Sequence, residues 1–177
     1  MAKMKFPRVL SEMEIAKMLK AAETSPRDLM MLKCLYYLGL KSGELRSLKV
    51  HDIDFEENVI RIPGKNERYV MIPGAFTFEL EEYVKGMEGI IFKGRGSGGT
   101  LSDRHVRRMV KGYARMADVR NYEEIKPHTL RISYATHLRK DGVPAKTIQA
   151  MLGHSRRETT YMYTHGMTEP NRSEPEK

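Results

Sequence analysis

His128 and Arg131 stand three residues apart, and His154 and Tyr163 nine apart, so two imidazoles, a guanidinium and a phenol fall within 36 residues. In-line displacement at a phosphodiester needs a nucleophile, donors for the charged non-bridging oxygens and a proton for the departing oxygen. A phenol of pKa ~10 becomes an accessible phenolate when cations surround it. An arginine offers a planar fork that matches two phosphate oxygens, and an imidazole moves a proton near neutral pH. Taken alone, a His-x-x-Arg pair is common surface chemistry and a single tyrosine is most often a packed ring. Tyr161, two residues before Tyr163, is an equally plausible nucleophile on chemistry alone.

Two lysines belong to the same question. Lys65 lies in Gly64-Lys65-Asn66, between two apolar alternating runs, and Lys41 lies in Gly39-Leu40-Lys41-Ser42-Gly43-Glu44-Leu45. Arg46, five residues beyond Lys41, is turned about 140° from it on a helix and is expected to point elsewhere.

The elements that must hold these groups can be read from periodicity. Ser11-Glu12-Met13-Glu14 has capping-box form, and Ile15, Met18 and Leu19 follow at helical spacing, giving a helix to about Ala22. Ser25-Pro26-Arg27-Asp28 opens a second helix whose apolar body, Leu29 to Leu38, is expected in the core, with Gly39 as its stop. A short third helix carries Glu44, Leu45 and Leu48. The period then changes to two: Val59–Ile62 and Tyr69–Ile72 read as a hairpin, and a short strand around Ile53–Phe55 would complete a three-stranded sheet. Helices are expected over Phe76–Met87, from Ser102 to about Ala117, over Leu130–Lys140 and over Pro144–Leu152, with a short helical segment from Arg157 carrying the tyrosine. Gly94–Gly99, with four glycines in six residues, is expected to be a flexible loop.

Composition narrows the partners. The 177 residues carry a formal charge of +8, and Lys93 to Arg120 holds eight Lys/Arg against two Asp, so a polyanion is favoured. Arg104, Arg107, Arg108 and Lys111, within this stretch, are the candidates to line a phosphate backbone, which the resemblance given below implies is that of DNA. No apolar run approaches the roughly 20 residues that span a bilayer, and no apolar stretch follows the basic N-terminus, so neither a membrane span nor a secretory signal is expected. Cys34 is a single cysteine and reads as a small buried hydrophobe in an intracellular, cytoplasmic chain. His51, His105, His137 and His165 lack metal-ligand spacing, and the glycine-rich loop lacks a Gly-Lys-Ser/Thr ending, so no metal and no cofactor are expected.

Taken together, His128-Thr129-Leu130-Arg131, Leu152-Gly153-His154, Tyr163, Gly64-Lys65 and the Gly39–Leu45 box resemble the catalytic domain of the tyrosine recombinases, the phage-integrase and Xer family. The resemblance implies an α+β, mainly helical fold with a small antiparallel three-stranded sheet, covering residues 1–167, with 168–177 a polar, disordered tail. It implies a site-specific recombinase acting on double-stranded DNA through a 3′-phosphotyrosyl intermediate, with Tyr163 as nucleophile and Tyr161 as packing. His128, Arg131, His154 and the residue at position 41 would surround the phosphate, Lys65 would protonate the departing 5′-oxygen, and Glu44 would buttress the site.

The chain departs from the family pattern in three places. Position 41, where the family has its first catalytic arginine, is lysine, which keeps the charge and loses the fork; impaired chemistry is therefore expected. The family's N-terminal core-binding domain is expected to be absent, since the first helix starts near residue 11. The tail after Tyr163 has few apolar residues, which sets this chain apart from relatives that assemble as tetramers on DNA. Two other functions stay open at this level: a non-catalytic DNA-binding relative that regulates recombination, and a type IB topoisomerase-like enzyme.

Overall fold

The computed structural model of the chain describes residues 7–64, 67–94, 99 and 101–153. Ser11 starts the first helix, α1 (Glu12–Ala21), with the reciprocal cap its sequence promises: the Glu14 amide donates to Ser11 Oγ at 3.2 Å, and the Ser11 amide donates to Glu14 Oε2 at 2.8 Å. The proline at the first position of α2 (Pro26–Tyr37) needs no amide partner there. This helix supplies the centre of the core: Met31, Leu32, Cys34 and Leu35 are all fully buried. Truncating one such leucine to alanine typically costs about 2–5 kcal/mol.

Gly39 turns the chain out of α2 in the left-handed region, with φ +57°. The chain also passes close to its neighbours here, since a Cβ would lie 2.7 Å from Leu152 Cδ2 and 2.9 Å from Tyr134 Cδ1. The short α3 (Ser42–Ser47) follows, then a 3₁₀ turn at Val50–Asp52. Strands β1 (Ile53–Asp54), β2 (Val59–Ile62) and β3 (Arg68–Met71) form an antiparallel sheet in the order β1-β2-β3. Ile60 pairs with Val70 and Ile62 with Arg68. On β3 the alternation puts Arg68 and Val70 inward and Tyr69 and Met71 outward.

Helix α4 (Gly74–Val84) ends three residues before the expected Met87. Helix α5 (Asp103–Met116) begins at the Ser102 cap, whose Oγ accepts from the His105 amide at 3.1 Å. Helix α6 spans Pro127–Lys140, so it starts three residues earlier than the apolar periodicity from Leu130 suggests. The early start follows from Pro127 at the first position and from the Lys126 amide, which donates to Thr129 Oγ1 at 3.1 Å. Helix α7 (Ala145–Leu152) closes on Gly153, whose φ is +63°. Helix α2 packs on α6, α1 on α5, and α7 on β3. Among the described residues no helix is long and apolar enough to cross a membrane. The expected segment from Arg157, the tail, and most of the Gly94–Gly99 loop lie outside the described residues.

Candidate functional site: a cationic pocket at three helix starts

The beginnings of α3, α5 and α6 meet around one pocket of about 190 Å³, lined by Lys41, Ser42, Asp103, Arg107, Lys126, Pro127, His128 and Arg131. Lys41 and Ser42 open α3, Asp103 is the first residue of α5, and Lys126 to His128 open α6. Helix starts carry unsatisfied amides and the positive end of the helix dipole, which favours an anion. Four of the lining residues are Lys or Arg and one is an aspartate, so the pocket is cationic.

The sequence placed Lys41, His128 and Arg131 in one site, and all three line this pocket. Lys65, His154, Tyr163 and Tyr161 lie outside the described residues. Of the four candidate DNA-contacting residues on α5, all are exposed, and Arg107 alone lines the pocket. Arg46 does turn away: its Nε donates to the Leu101 carbonyl.

His128 keeps an accessible face, yet the protein packed about it, then the charges of Arg131 and Lys41, lower its pKa from the ordinary histidine value. It is therefore neutral at neutral pH and able to accept a proton.

Arg131 is 1% exposed and has a second task besides facing the pocket. One terminal nitrogen donates to the Gly39 carbonyl and the other to the Leu152 carbonyl. It thereby ties the turn before Lys41 to the end of α7, and the residue after that turn of α7 is Gly153, followed by His154.

A residue that motif reading passed over holds the same helix end. Arg68 Nε donates to the Met151 carbonyl at 3.0 Å, while its two terminal nitrogens donate to the two carboxylate oxygens of Glu44 at 2.7 and 2.9 Å. Glu44 also accepts from the Lys41 amide at 2.8 Å. Burial alone would raise the Glu44 pKa; the bonds from Arg68 and Lys41, with the charges of Arg68 and Arg131, outweigh it and hold the carboxyl below its usual value. Glu44 thus has the buttressing geometry expected of it. The signal for Arg68 was present in the alternation of β3, which puts position 68 on the same face as Val70 and Ile72; an arginine there must find a buried partner.

Gly153 completes the arrangement. A Cβ there would come within 2.7 Å of Arg68 Cδ, so the glycine both adopts the left-handed conformation and admits the arginine stem.

On the other side of the pocket, the Ser42 hydroxyl donates to Asp103 Oδ1 at 2.6 Å and Arg107 Nε donates to Asp103 Oδ2 at 2.6 Å. The Ser42 bond, and against burial the Arg107 bond, hold Asp103 ionised below the usual carboxylate range. Among the described residues no group of three or more His, Cys, Asp or Glu is placed to hold a metal.

The family model described as the phage integrase family matches residues 8–169. The chain belongs to that family. A tyrosine recombinase of Pseudothermotoga lettingae is 35% identical over 168 residues, covering 91% of this chain and 57% of the relative. Tyrosine recombinase XerA of Pyrococcus horikoshii is 33% identical over 179 residues, covering 97% of this chain and 61% of the relative. The phage-integrase chain described here therefore spans little more than half the length of these relatives. The crystal structure of XerA recombinase superposes with a TM-score of 0.83 at 27% identity, over 93% of this chain and 61% of that one. A post-cleavage complex of XerH site-specific recombinase bound to palindromic difH substrate gives 0.78 at 26% identity, over 92% and 50%. The mainly helical fold with a small antiparallel three-stranded sheet is the fold of these recombinase structures.

Proposed function

We propose that this chain is the catalytic part of a site-specific tyrosine recombinase acting on double-stranded DNA. The observation that carries the reading is the convergence of Lys41, His128 and Arg131, from two distant helix starts, on one cationic pocket. In this reading the Tyr163 oxygen attacks phosphorus as the bond to the 5′-oxygen breaks. The phenol gives up its proton, with neutral His128 or His154 as acceptor, and the departing oxygen takes one from Lys65. The product is a 3′-phosphotyrosyl ester and a free 5′-hydroxyl. A 5′-hydroxyl of a partner duplex then reverses the step, and since one phosphodiester replaces another, the exchange needs no nucleotide hydrolysis. Lys41, Arg131 and His154 face the charged non-bridging oxygens, and Arg104, Arg108 and Lys111 contact the flanking backbone. Assembly of several copies on DNA belongs to the same proposal.

One observation favours a second reading: lysine at position 41 supplies a point charge in place of a fork. A DNA-binding relative without strand cleavage would show that residue and the same pocket. The deciding experiment incubates the chain, its Tyr163→Phe variant and its Lys41→Arg variant with nicked duplexes of randomised sequence, and recovers covalent adducts under denaturing conditions. The recombinase reading expects an adduct that disappears with Tyr163→Phe and grows with Lys41→Arg. DNA binding with no adduct from either the original chain or Lys41→Arg would establish the binding protein instead. Relaxation of supercoiled plasmid without strand exchange would point to topoisomerase-like chemistry.

A further inference from the structure

Within the recombinase reading, the fork missing at position 41 has a candidate replacement. Arg46 is the nearest guanidinium in sequence, but it is committed to the Leu101 carbonyl. Arg107 reaches the site from α5 and lines the same pocket as Lys41, His128 and Arg131. Its position is built rather than incidental. The hydroxyl of Ser42, the residue next to Lys41, holds Asp103, and Asp103 one turn earlier on α5 holds Arg107 Nε, both at 2.6 Å. This hydroxyl–carboxylate–guanidinium chain joins the start of α3 to α5. With Nε committed to the carboxylate, the terminal nitrogens remain to address a ligand, and among the described residues they meet no acceptor. The Arg107 side chain is 63% exposed, so a phosphate can approach it from solvent. The carboxylate beside it does not reverse the field, because Lys41, Lys126 and Arg131 line the pocket as well.

We propose that Arg107 is a catalytic residue of this chain: its guanidinium fork, acting with the charge of Lys41, makes the contact to the scissile phosphate that a lysine alone at position 41 cannot make. The proposal rests on the recombinase reading and deepens it. Arg107 is then more than a backbone-steering cation, and its importance depends on what stands at position 41. With arginine restored there, Arg107 becomes largely redundant.

The test is a double-substitution cycle on the 177-residue chain. The rate of covalent adduct formation is measured on a nicked duplex recovered from the randomised pool, with Arg107→Ala and Arg107→Lys placed in the Lys41 chain and in the Lys41→Arg chain. DNA affinity is measured separately in the Tyr163→Phe background. The expected result is a loss of roughly 10²-fold for Arg107→Ala in the Lys41 chain, the cost of removing one preorganised donor. Arg107→Lys should fail to rescue it, and the loss should be at least about tenfold smaller once Lys41→Arg is present, a coupling of the size seen between residues that share a partner. Equal losses in both backgrounds, matched by weaker DNA binding, would overturn the proposal and leave Arg107 a backbone contact. Adduct from Lys41→Arg but none from the original chain would also overturn it, while upholding the recombinase reading. No adduct from either would bring down both.

Discussion

Glu44 and Arg68, 24 residues apart, face each other with both carboxylate oxygens and both terminal guanidinium nitrogens, and the same arginine reaches on to the backbone of α7. The side chains are 16% and 8% exposed, so the pair is substantially withdrawn from water. Breaking a buried pair by removing one partner leaves the other charge uncompensated, at a cost of about 3–5 kcal/mol. Glu44→Gln or Arg68→Met should therefore lower stability by about 3 kcal/mol in chemical denaturation. The double replacement Glu44→Gln with Arg68→Met should cost clearly less than the sum of the two; additive losses would show that the two residues act separately.

Gly39→Ala should be among the most damaging single-methyl additions in the chain. The new Cβ would meet Leu152 and Tyr134 below 3.0 Å, and the residue must keep φ +57°. The left-handed conformation alone costs about 1–2 kcal/mol for a side chain with a Cβ. A fall of at least that size in thermal or urea unfolding is expected, while Gly43→Ala, with open space around it, should change stability by less than about 1 kcal/mol.

The lowered pKa of His128 has a traceable origin. Packing is the largest cause, then Arg131, then Lys41. Replacing Lys41 with Met should move the His128 titration upward in an NMR pH series, and an unchanged midpoint would remove Lys41 from its surroundings. The sign for stability follows from linkage. His128 and His137 both have folded-state values below the unfolded one, so the unfolded chain binds more protons between the two. Their contribution to stability is complete above the ordinary histidine value and is lost as pH falls through the lowered folded values.

Arg104, Arg108 and Lys111 lie exposed on α5, outside the pocket. If they meet DNA backbone, each alanine substitution should weaken binding across all sequences and reduce the log–log salt slope by about 0.9 per lost phosphate contact. Titrations by fluorescence anisotropy at several salt concentrations, in the Tyr163→Phe background, read this directly. A slope unchanged by all three would move the DNA interface off α5.

Much of this fold was written plainly in the sequence. The Ser11 cap, the Pro26 start, the stop at Gly39 and the hairpin's alternation rest on local chemistry, and each falls within a residue or two of its observed place. The start of α6 lies ahead of the apolar spacing, which begins at Leu130, because Pro127 and the Thr129 cap set the boundary. At the site, the resemblance implied that Lys41, His128 and Arg131 belong together, and all three line the pocket. The alternation of β3 marks Arg68 as inward-facing but not its partners, Glu44 and the Met151 carbonyl, which come from other elements, one of them backbone. Asp103 escaped notice for a similar reason: it reads as an ordinary first-turn acid until the fold brings Ser42 against it.

Arg68 and Arg131 grip α7 by the carbonyls of Met151 and Leu152, that is, by its backbone. Such a grip is blind to residue identity on the gripped element. Met151 is half-buried, so a substitution there alters packing while the carbonyl that Arg68 holds stays in place. The vulnerability sits elsewhere, in two arginines and in the one glycine that leaves room for an arginine stem.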